Sequence, residues 1–248
     1  MSDFKLPDGP KKPERVNPRS MIIFGKPKCG KTEICSHLTR TGKWAMLELE
    51  PGGADFVEGT ILKANSLEDI QGWGTSIKAQ EKPPYDGIII DTVTKLEEMC
   101  LGLAAQLYKG TAMGKNWTGT DVRNLPNGAG YKFFRDAYFQ VTDYISGWAH
   151  NVIFLGHLSD KLIGKEGEET SSKELDLTGK TSKLACSKVD AIAYCYRKDN
   201  QTILNFHASD EMICGARSPH LKGEKIVIAE SDESGTISTH WDKVYVKE

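Results

Sequence analysis

Eight residues near the amino end of the chain have the spacing of a phosphate-binding loop. Residues 25–32 read Gly-Lys-Pro-Lys-Cys-Gly-Lys-Thr, which is G-x-x-x-x-G-K-[ST], and they follow the apolar run 21–24. A glycine-rich turn lets successive backbone N–H groups converge on phosphates, and the next helix points its positive end at the same place. The pattern predicts a nucleoside-triphosphate site, whose expected contacts are Gly25, Lys26, Pro27, Lys28, Cys29, Gly30, Lys31, Thr32 and Glu33.

Two oxygen-bearing side chains fall where a magnesium ion beside such phosphates needs ligands. Thr32 closes the loop, and Asp91 ends the isoleucine run 88–90, which is typical of a strand covered on both faces. A carboxylate at the carboxyl edge of that strand would hold Mg²⁺ through water, whereas the alternative is a plain turn residue. We expect ATP and Mg²⁺ as cofactors, with Lys31 as the catalytic lysine that reaches the β- and γ-phosphates.

Two further polar side chains follow predicted strands and have types suited to hydrolysis. Glu48 and Glu50 share one face of a strand by its two-residue period. Only Glu50 sits at the carboxyl edge, where a carboxylate could orient or deprotonate the attacking water. His157 follows the apolar run 152–156, at the position of a γ-phosphate sensor. We take Glu50 and His157 as catalytic candidates; the alternatives are a solvated charge and a structural histidine.

Two segments carry cations suited to a nucleic-acid backbone. Residues 178–188 hold Lys180, Lys183 and Lys188 without an acid, although the preceding residues 160–176 mix acids with lysines. The glycine-rich loop 109–128 holds Lys115 and Trp117, and a cation beside an aromatic ring suits single strands. These patterns predict contact with single-stranded DNA, with solvated surface as the alternative for both segments.

One arginine after the last predicted hairpin is a candidate for catalysis between subunits. Arg217 lies in the stretch 214–218. A cation there could reach the γ-phosphate of a neighbouring subunit as a finger in trans. The competing interpretation is an ordinary surface cation.

Alternating strands and helices must position these residues, which favours an α/β fold with a mostly parallel sheet. The predicted strands are 20–24, 44–50, 87–91 and 151–156, and the predicted helices run from the phosphate loop to 40, then 66–81, 93–108 and 129–149. Residues 189–197 and 201–208 predict a C-terminal antiparallel hairpin, followed by edge strands at 225–229 and 236–246. We expect a flexible, proline-rich tail over 1–19, one domain over 20–248, and a mobile loop over 157–188.

Composition limits the ligands and the cellular location that the sequence predicts. The formal net charge is −2, so no global field draws the protein onto nucleic acid, and any such binding must come from local patches. The six cysteines form no C-x-x-C pair, which indicates reduced thiols rather than a zinc site. No apolar run approaches a membrane span and no signal peptide is visible. We therefore expect a cytoplasmic protein without a membrane partner.

Together these residues resemble the RecA-like P-loop ATPase core. The resemblance covers the phosphate loop 25–32, Glu50 after strand two, Asp91 after strand three and His157 at the end of strand four. It implies that Glu50 activates water and that His157 couples the nucleotide to a DNA-binding loop.

More narrowly, residues 20–220 look like the phage-encoded RecA-like proteins of the Sak type, which are associated with single-strand annealing and recombination. The resemblance rests on Leu-Thr-Gly-Lys at 177–180 and Lys-Val-Asp-Ala-Ile-Ala-Tyr at 188–194, which lead into a hairpin and Arg217. It implies an ATPase stimulated by single-stranded DNA, a homo-oligomeric ring or filament, and a single-strand-binding protein as a further partner. Its location would be the host cytoplasm.

Two other functions stay open at this point. The first is a nucleotide-controlled assembly module, such as a helicase loader in replication. The second is a small-molecule kinase, although such kinases usually carry an arginine-rich lid and residues 157–188 contain lysines but no arginine.

Overall fold

Strands and helices alternate along the chain, and the central strands run parallel. The computed structural model describes residue 6, residues 8–163 and residues 170–247. Within them the strands are β1 (Ser20–Gly25), β2 (Trp44–Glu48), β3 (Ile61–Lys63), β4 (Gly87–Asp91), β5 (Asn151–Ile163), β6 (Thr170–Leu175), β7 (Ala191–Lys198), β8 (Gln201–Asn205), β9 (Gly215–Ala216), β10 (Lys225–Ser231) and β11 (Ile237–Thr239). The helices are α1 (Lys31–Thr39), α2 (Leu67–Lys78), α3 (Val93–Met99), α4 (Leu101–Lys109), α5 (Gly130–Ser146) and α6 (Thr181–Lys188), with short 3₁₀ turns at Val122–Asn124, Pro126–Gly128 and Trp241–Lys243.

The strands form one sheet in the order β11-β10-β8-β7-β1-β5-β4-β2-β3. The run from β7 to β3 is parallel, whereas β8, β10 and β11 continue it as antiparallel strands. The predicted α/β class, with a mostly parallel central sheet and a C-terminal antiparallel hairpin extension, is confirmed. The register pairs Gly25 with His157 and Glu48 with Asp91, so the predicted site residues meet at one edge of the sheet.

Both faces of the sheet are covered, as the isoleucine-rich strands predict. Alternate residues of β1 belong to two separate cores: Ile22 and Phe24 pack with α2 to α5, and Met21 and Ile23 pack with α1 and the carboxyl-terminal turn. Burial of each strand on both sides fixes the strand ends firmly. The cores therefore hold the carboxyl ends of these strands in place. Among the described helices, none is long and apolar enough to cross a bilayer.

The segment 157–188 differs from the predicted loop. β5 continues through His157 to Ile163 and pairs antiparallel with β6, with Leu158 opposite Leu175. Residues 181–188 then form α6. The prediction of a loop is therefore wrong for the described part of this segment, which is a two-stranded arm followed by a helix; residues 164–169 lie outside the described residues.

The chain before β1 also departs from the predicted tail. Arg15 pairs with Asp190 at 3.1 Å. The side-chain amide of Asn17 donates to the Val246 carbonyl and accepts the Val246 N–H. These contacts attach residues 15–19 to the body of the protein, so the tail prediction is wrong for them. The predicted helix 93–108 is likewise two helices that meet at Cys100.

Candidate nucleotide-binding site

The phosphate loop connects β1 to α1 as a tight turn over a buried lysine. Lys28 and Gly30 have φ angles of 63° and 98°, in the left-handed region that glycine adopts most easily. Lys31 is 6% exposed, and its ammonium donates to the carbonyls of Gly25 at 3.1 Å and Lys26 at 3.0 Å. A Cβ atom on Gly25 would lie 2.3 Å from a backbone oxygen of β7. The loop therefore has the shape and the donors of a phosphate cradle.

Two potential magnesium ligands lie in contact beside this loop. The Thr32 hydroxyl donates to Asp91 Oδ2 at 2.6 Å, and Asp91 is 7% exposed. Burial raises the pKa of the Asp91 carboxyl, and the charge of Glu50 adds to this rise while the Thr32 hydrogen bond opposes it. Oxygen ligands from one hydroxyl and one carboxylate fit Mg²⁺, which keeps waters and phosphate oxygens for its other positions. The structure thus brings together the predicted metal ligands.

Glu50 is held by two neighbours just beyond the end of β2. Its Oε1 atom accepts a hydrogen bond from the Thr92 hydroxyl at 2.6 Å and lies 3.1 Å from His157 Nε2. Burial opposes ionisation, but these hydrogen bonds, together with the charges of His157 and Lys31, lower the pKa of Glu50. The carboxylate is therefore ionised at neutral pH and kept in one orientation. The peptide bond between Asp91 and Thr92 is cis.

His157 joins this carboxylate to the arm that follows. Its backbone N–H donates to the Thr94 hydroxyl at 3.3 Å, and its carbonyl accepts from the Asp176 N–H at 2.9 Å. Thr94 in turn donates to the Asp176 carbonyl at 3.1 Å. The buried Nδ1 atom of His157 has no partner within the described part of the chain. The histidine thus links the Glu50 carboxylate to the end of β6.

Glu48 has a structural role. It is 4% exposed, its Oε1 atom accepts the Ala54 N–H at 2.9 Å, and its Oε2 atom lies 3.5 Å from the Lys63 ammonium. These contacts hold the turn after β2, which places Glu50 at the site.

The cations predicted to bind DNA have different surroundings. Lys180 and Lys183 are exposed at the start of α6, and Lys115 is exposed in its loop. Lys188 pairs with a carboxylate of α5 at 3.4 Å and covers the ring of Phe139 at 4.2 Å. Trp117 packs edge-on against Tyr108 with ring centroids 5.2 Å apart and belongs to the periphery of the core. The DNA-binding roles of these residues stay predictions.

Arg217 lies away from the phosphate loop of its own chain. It pairs with Asp190 at 3.4 Å and donates to the Ser187 carbonyl at 3.0 Å. Asp190 also accepts the backbone N–H groups of Arg19 and Ser20, at the amino end of β1. The loop is at the carboxyl end of that strand, so any contact of Arg217 with a γ-phosphate would have to come from another subunit.

The structure adds one site residue that sequence reasoning missed, Thr92, and it shows the surroundings of the predicted loop residue Cys29 and of the buried carboxylate Glu97. Thr92 orients Glu50, and its position directly after Asp91 was the available signal. Cys29 in the phosphate loop accepts a hydrogen bond from Cys195 of β7; this bond and the charge of Lys31 lower the pKa of Cys29 to about 6 against the opposing effect of burial. Glu97 is 6% exposed and accepts hydrogen bonds from the Thr178 backbone and hydroxyl.

A phosphate cradle at the end of a central parallel strand, with its lysine, metal ligands and oriented carboxylate, defines a P-loop nucleotide-binding protein. The model of the AAA domain family AAA_24 matches residues 17–218. This match spans most of the chain, which therefore belongs to that family. Its mostly parallel α/β core agrees with the fold class predicted from the sequence.

Comparisons with individual proteins add the following. No curated protein matches the chain. Many chains of solved structures do match, and one of them is described as the crystal structure of the RadB recombinase. That match has 12% sequence identity and a TM-score of 0.49, and it covers 90% of this chain and 91% of the other.

Proposed function

We propose that this protein is a Mg-ATP-dependent ATPase of the recombination type that binds single-stranded DNA. The observation that carries the proposal is the position of Glu50, whose carboxylate is held by Thr92 and His157 beside the buried Lys31. A loop that only bound nucleotide would have no use for an oriented, ionised carboxylate at this edge. Family membership supports the ATPase part of the proposal.

Each residue of the site would have one task in hydrolysis. The loop amides and Lys31 would bind the phosphates, and Lys31 would exchange its contacts with the loop carbonyls for phosphate oxygens. Thr32 and Asp91 would hold Mg²⁺, which when bound neutralises charge on the β- and γ-phosphates. Glu50 would orient the attacking water and accept its proton, with His157 fixing the carboxylate.

The same residues offer a route from the nucleotide to the DNA. A change in the Glu50–His157 contact would be passed through Thr94 and Asp176 to the arm formed by β5 and β6 and to α6 beyond it. Lys180 and Lys183 are exposed at the start of α6 and would neutralise DNA phosphates. Bound nucleotide would thereby change the affinity for DNA, and bound DNA would change the affinity for nucleotide. DNA at α6 would also act on the position of Glu50, and so on the rate of hydrolysis, through the same contacts.

The proposal extends to assembly. Arg217 would act in trans in a homo-oligomeric ring or filament, after leaving its contacts with Asp190 and Ser187. A single-strand-binding protein is the expected further partner, and the cytoplasm, of the host if the chain is phage-encoded, is the expected location. A mixing experiment tests the arginine: Arg217→Ala subunits should be rescued by Lys31→Ala subunits only if the finger acts between chains.

The first experiment measures ATP hydrolysis with and without single-stranded DNA, using Lys31→Ala as the blank. Stimulation by DNA that disappears in the variant is the expected result. A turnover that DNA does not change would contradict the DNA part of the proposal. Nucleotide binding without turnover would contradict the ATPase part and favour a nucleotide-controlled assembly module.

A further inference from the structure

An open face of the antiparallel end of the sheet lies next to the phosphate loop. Across β10, β8 and β7 the register places Lys225 opposite Asn205 and Asn205 opposite Tyr194. The next row on the same face contains Tyr196, because side chains two residues apart on a strand point the same way. These side chains line an open groove together with Met212 and with Lys26 and Cys29 of the phosphate loop.

The two tyrosines form a rigid aromatic platform. Tyr194 and Tyr196 stack with ring centroids 5.5 Å apart and an interplanar angle of 20°. Tyr194 also packs against Phe24 at 5.7 Å, and Phe24 is fully buried in the central strand. Both tyrosines are half-buried, so the row of rings runs from the core to the surface. A ring anchored in this way loses little freedom when another flat ring stacks on it.

Cations outnumber carboxylates around the platform, although burial raises the pKa of Tyr194 and the charge of Asp160 on β5 adds to this rise. Lys26 and Lys225 line the groove, Arg197 borders it from the opposite face of β7, and no carboxylate is among the described residues that line it. A fourth cation, Lys173 of β6, has its ammonium 6.0 Å from the centroid of the Tyr194 ring. Stacking surfaces flanked by cations suit a chain of unpaired bases with a phosphate backbone, whereas the bases of a duplex are not free to stack.

We propose that this tyrosine groove, formed by Lys26, Tyr194, Tyr196, Asn205 and Lys225, binds single-stranded nucleic acid. Bases stack on Tyr196 and its neighbour, and the cations contact the phosphates. The inference rests on the proposed function and gives its DNA a binding surface. Lys26 belongs to the phosphate loop, and its carbonyl accepts a hydrogen bond from the Lys31 ammonium at 3.0 Å. Nucleic acid at Lys26 is therefore in contact with the loop that holds the nucleotide.

The test is the affinity of the full chain for a fluorescent oligothymidylate, measured by anisotropy with Mg²⁺ and a non-hydrolysable ATP analogue. Loss of one stacking ring in Tyr196→Leu should raise the Kd about tenfold, whereas Tyr196→Phe keeps the ring and should stay within about twofold. The matched control is Tyr85→Leu, whose half-buried tyrosine precedes the amino end of β4, at the opposite end of the parallel strands from the phosphate loop. This control should bind like the wild type.

A salt titration tests the cations separately. Lys225→Ala should reduce the dependence of log Kd on log salt concentration by about one unit, because one phosphate contact is lost. Lys82→Ala removes another exposed lysine, after α2, and should leave the slope unchanged. Photocrosslinking of a 5-iodouracil oligonucleotide to the wild-type protein is independent of variant folding, and the adduct should lie within residues 191–198.

The outcomes separate this inference from the proposed function. If the wild type binds no oligonucleotide, both the groove and the DNA part of the proposed function are wrong. If the wild type binds DNA and Tyr196→Leu binds equally well with crosslinks elsewhere, only the groove is wrong. A Tyr196→Leu variant that loses affinity for a fluorescent ATP analogue but keeps DNA binding would assign the ring to the nucleobase. A variant that changes only the sedimentation coefficient would assign it to a subunit contact, and each of these results overturns the inference.

Discussion

Glu50→Gln should separate hydrolysis from nucleotide binding. Glutamine keeps a carbonyl oxygen that can accept the Thr92 hydroxyl at 2.6 Å and the His157 contact at 3.1 Å, but it cannot accept the proton of the attacking water. A general base contributes about 10²–10⁴ to the rate, so hydrolysis should fall at least about 100-fold, which is about 2.7 kcal/mol of transition-state stabilisation. ATP affinity should be unchanged or slightly tighter, because the variant removes a negative charge that interacts with Lys31. Stability should change by less than about 1 kcal/mol, because the Glu50 side chain is 41% exposed.

The assay is steady-state phosphate release together with binding of a fluorescent ATP analogue. The matched control is Glu48→Gln, two residues earlier, whose buried side chain accepts the Ala54 N–H and pairs with Lys63. This control should lose about 1 kcal/mol of unfolding free energy and retain hydrolysis per folded molecule within about twofold. Wild-type turnover in Glu50→Gln would refute the reasoning. So would a Glu48→Gln variant that keeps its stability and loses its turnover.

Three further predictions concern pH, thiol chemistry and stability. His157→Ala removes a hydrogen bond that lowers the pKa of Glu50, so the acid limb of the pH–rate profile should move to higher pH; an unmoved limb would exclude this link. The hydrogen bond from Cys195 lowers the pKa of Cys29 to about 6 against the opposing effect of burial. Cys29 should therefore be the first cysteine that iodoacetamide alkylates at pH 7, and bound nucleotide should slow this alkylation. Peptide mass spectrometry can test both expectations. Asp190→Ala should cost about 1 kcal/mol of unfolding free energy, since it removes the acceptor of the part-buried Arg19 and Ser20 N–H groups. The ion pairs of Asp190 with the exposed side chains of Arg15 and Arg217 contribute little. Burial opposes ionisation of Asp190, but its hydrogen bonds and ion pairs outweigh burial and lower its pKa. The contribution of Asp190 to the free energy of unfolding is therefore present above the unfolded pKa and should vanish as the pH falls through the lowered folded pKa. Urea titrations at several pH values can follow this loss.

Apolar runs and turn residues were sufficient to predict most of the central strands and the helices between them. The predicted strand 87–91 is β4 without a change of bounds, because an apolar strand buried on both faces leaves an unbroken signal. The predicted helix 66–81 is α2, whose start is fixed by a capping box between Ser66 and Asp69. Local chemistry decides both elements, so one sequence suffices to find them.

The arm after His157 could not be predicted in the same way. A two-stranded arm beyond the edge of a covered sheet needs no continuous apolar pattern, and polar residues in it look like a loop. Its register is set by the pairing of Leu158 with Leu175. These two residues are too far apart in the sequence for a local pattern to relate them. The ion pair between Arg15 and Asp190 also joins residues that are distant in the sequence. The composition of residues 1–19 does not indicate this contact.

The same contrast between local patterns and contacts of distant residues applies to the candidate site. Glu50, Asp91 and His157 could be predicted because the carboxyl ends of parallel strands converge, so residue type and strand end are enough. Candidate DNA contacts could not be ranked, because the sequence does not show which cations and aromatic rings are already in contact with carboxylates or with the core. Lys188 has a carboxylate and an aromatic ring beside it, and Trp117 packs on the core. Tyr194 and Tyr196 look like ordinary hairpin residues in the sequence, and only the neighbouring strands show that their shared face opens beside the phosphate loop. The tyrosine groove is therefore a better first target for DNA-binding variants than Lys188 or Trp117.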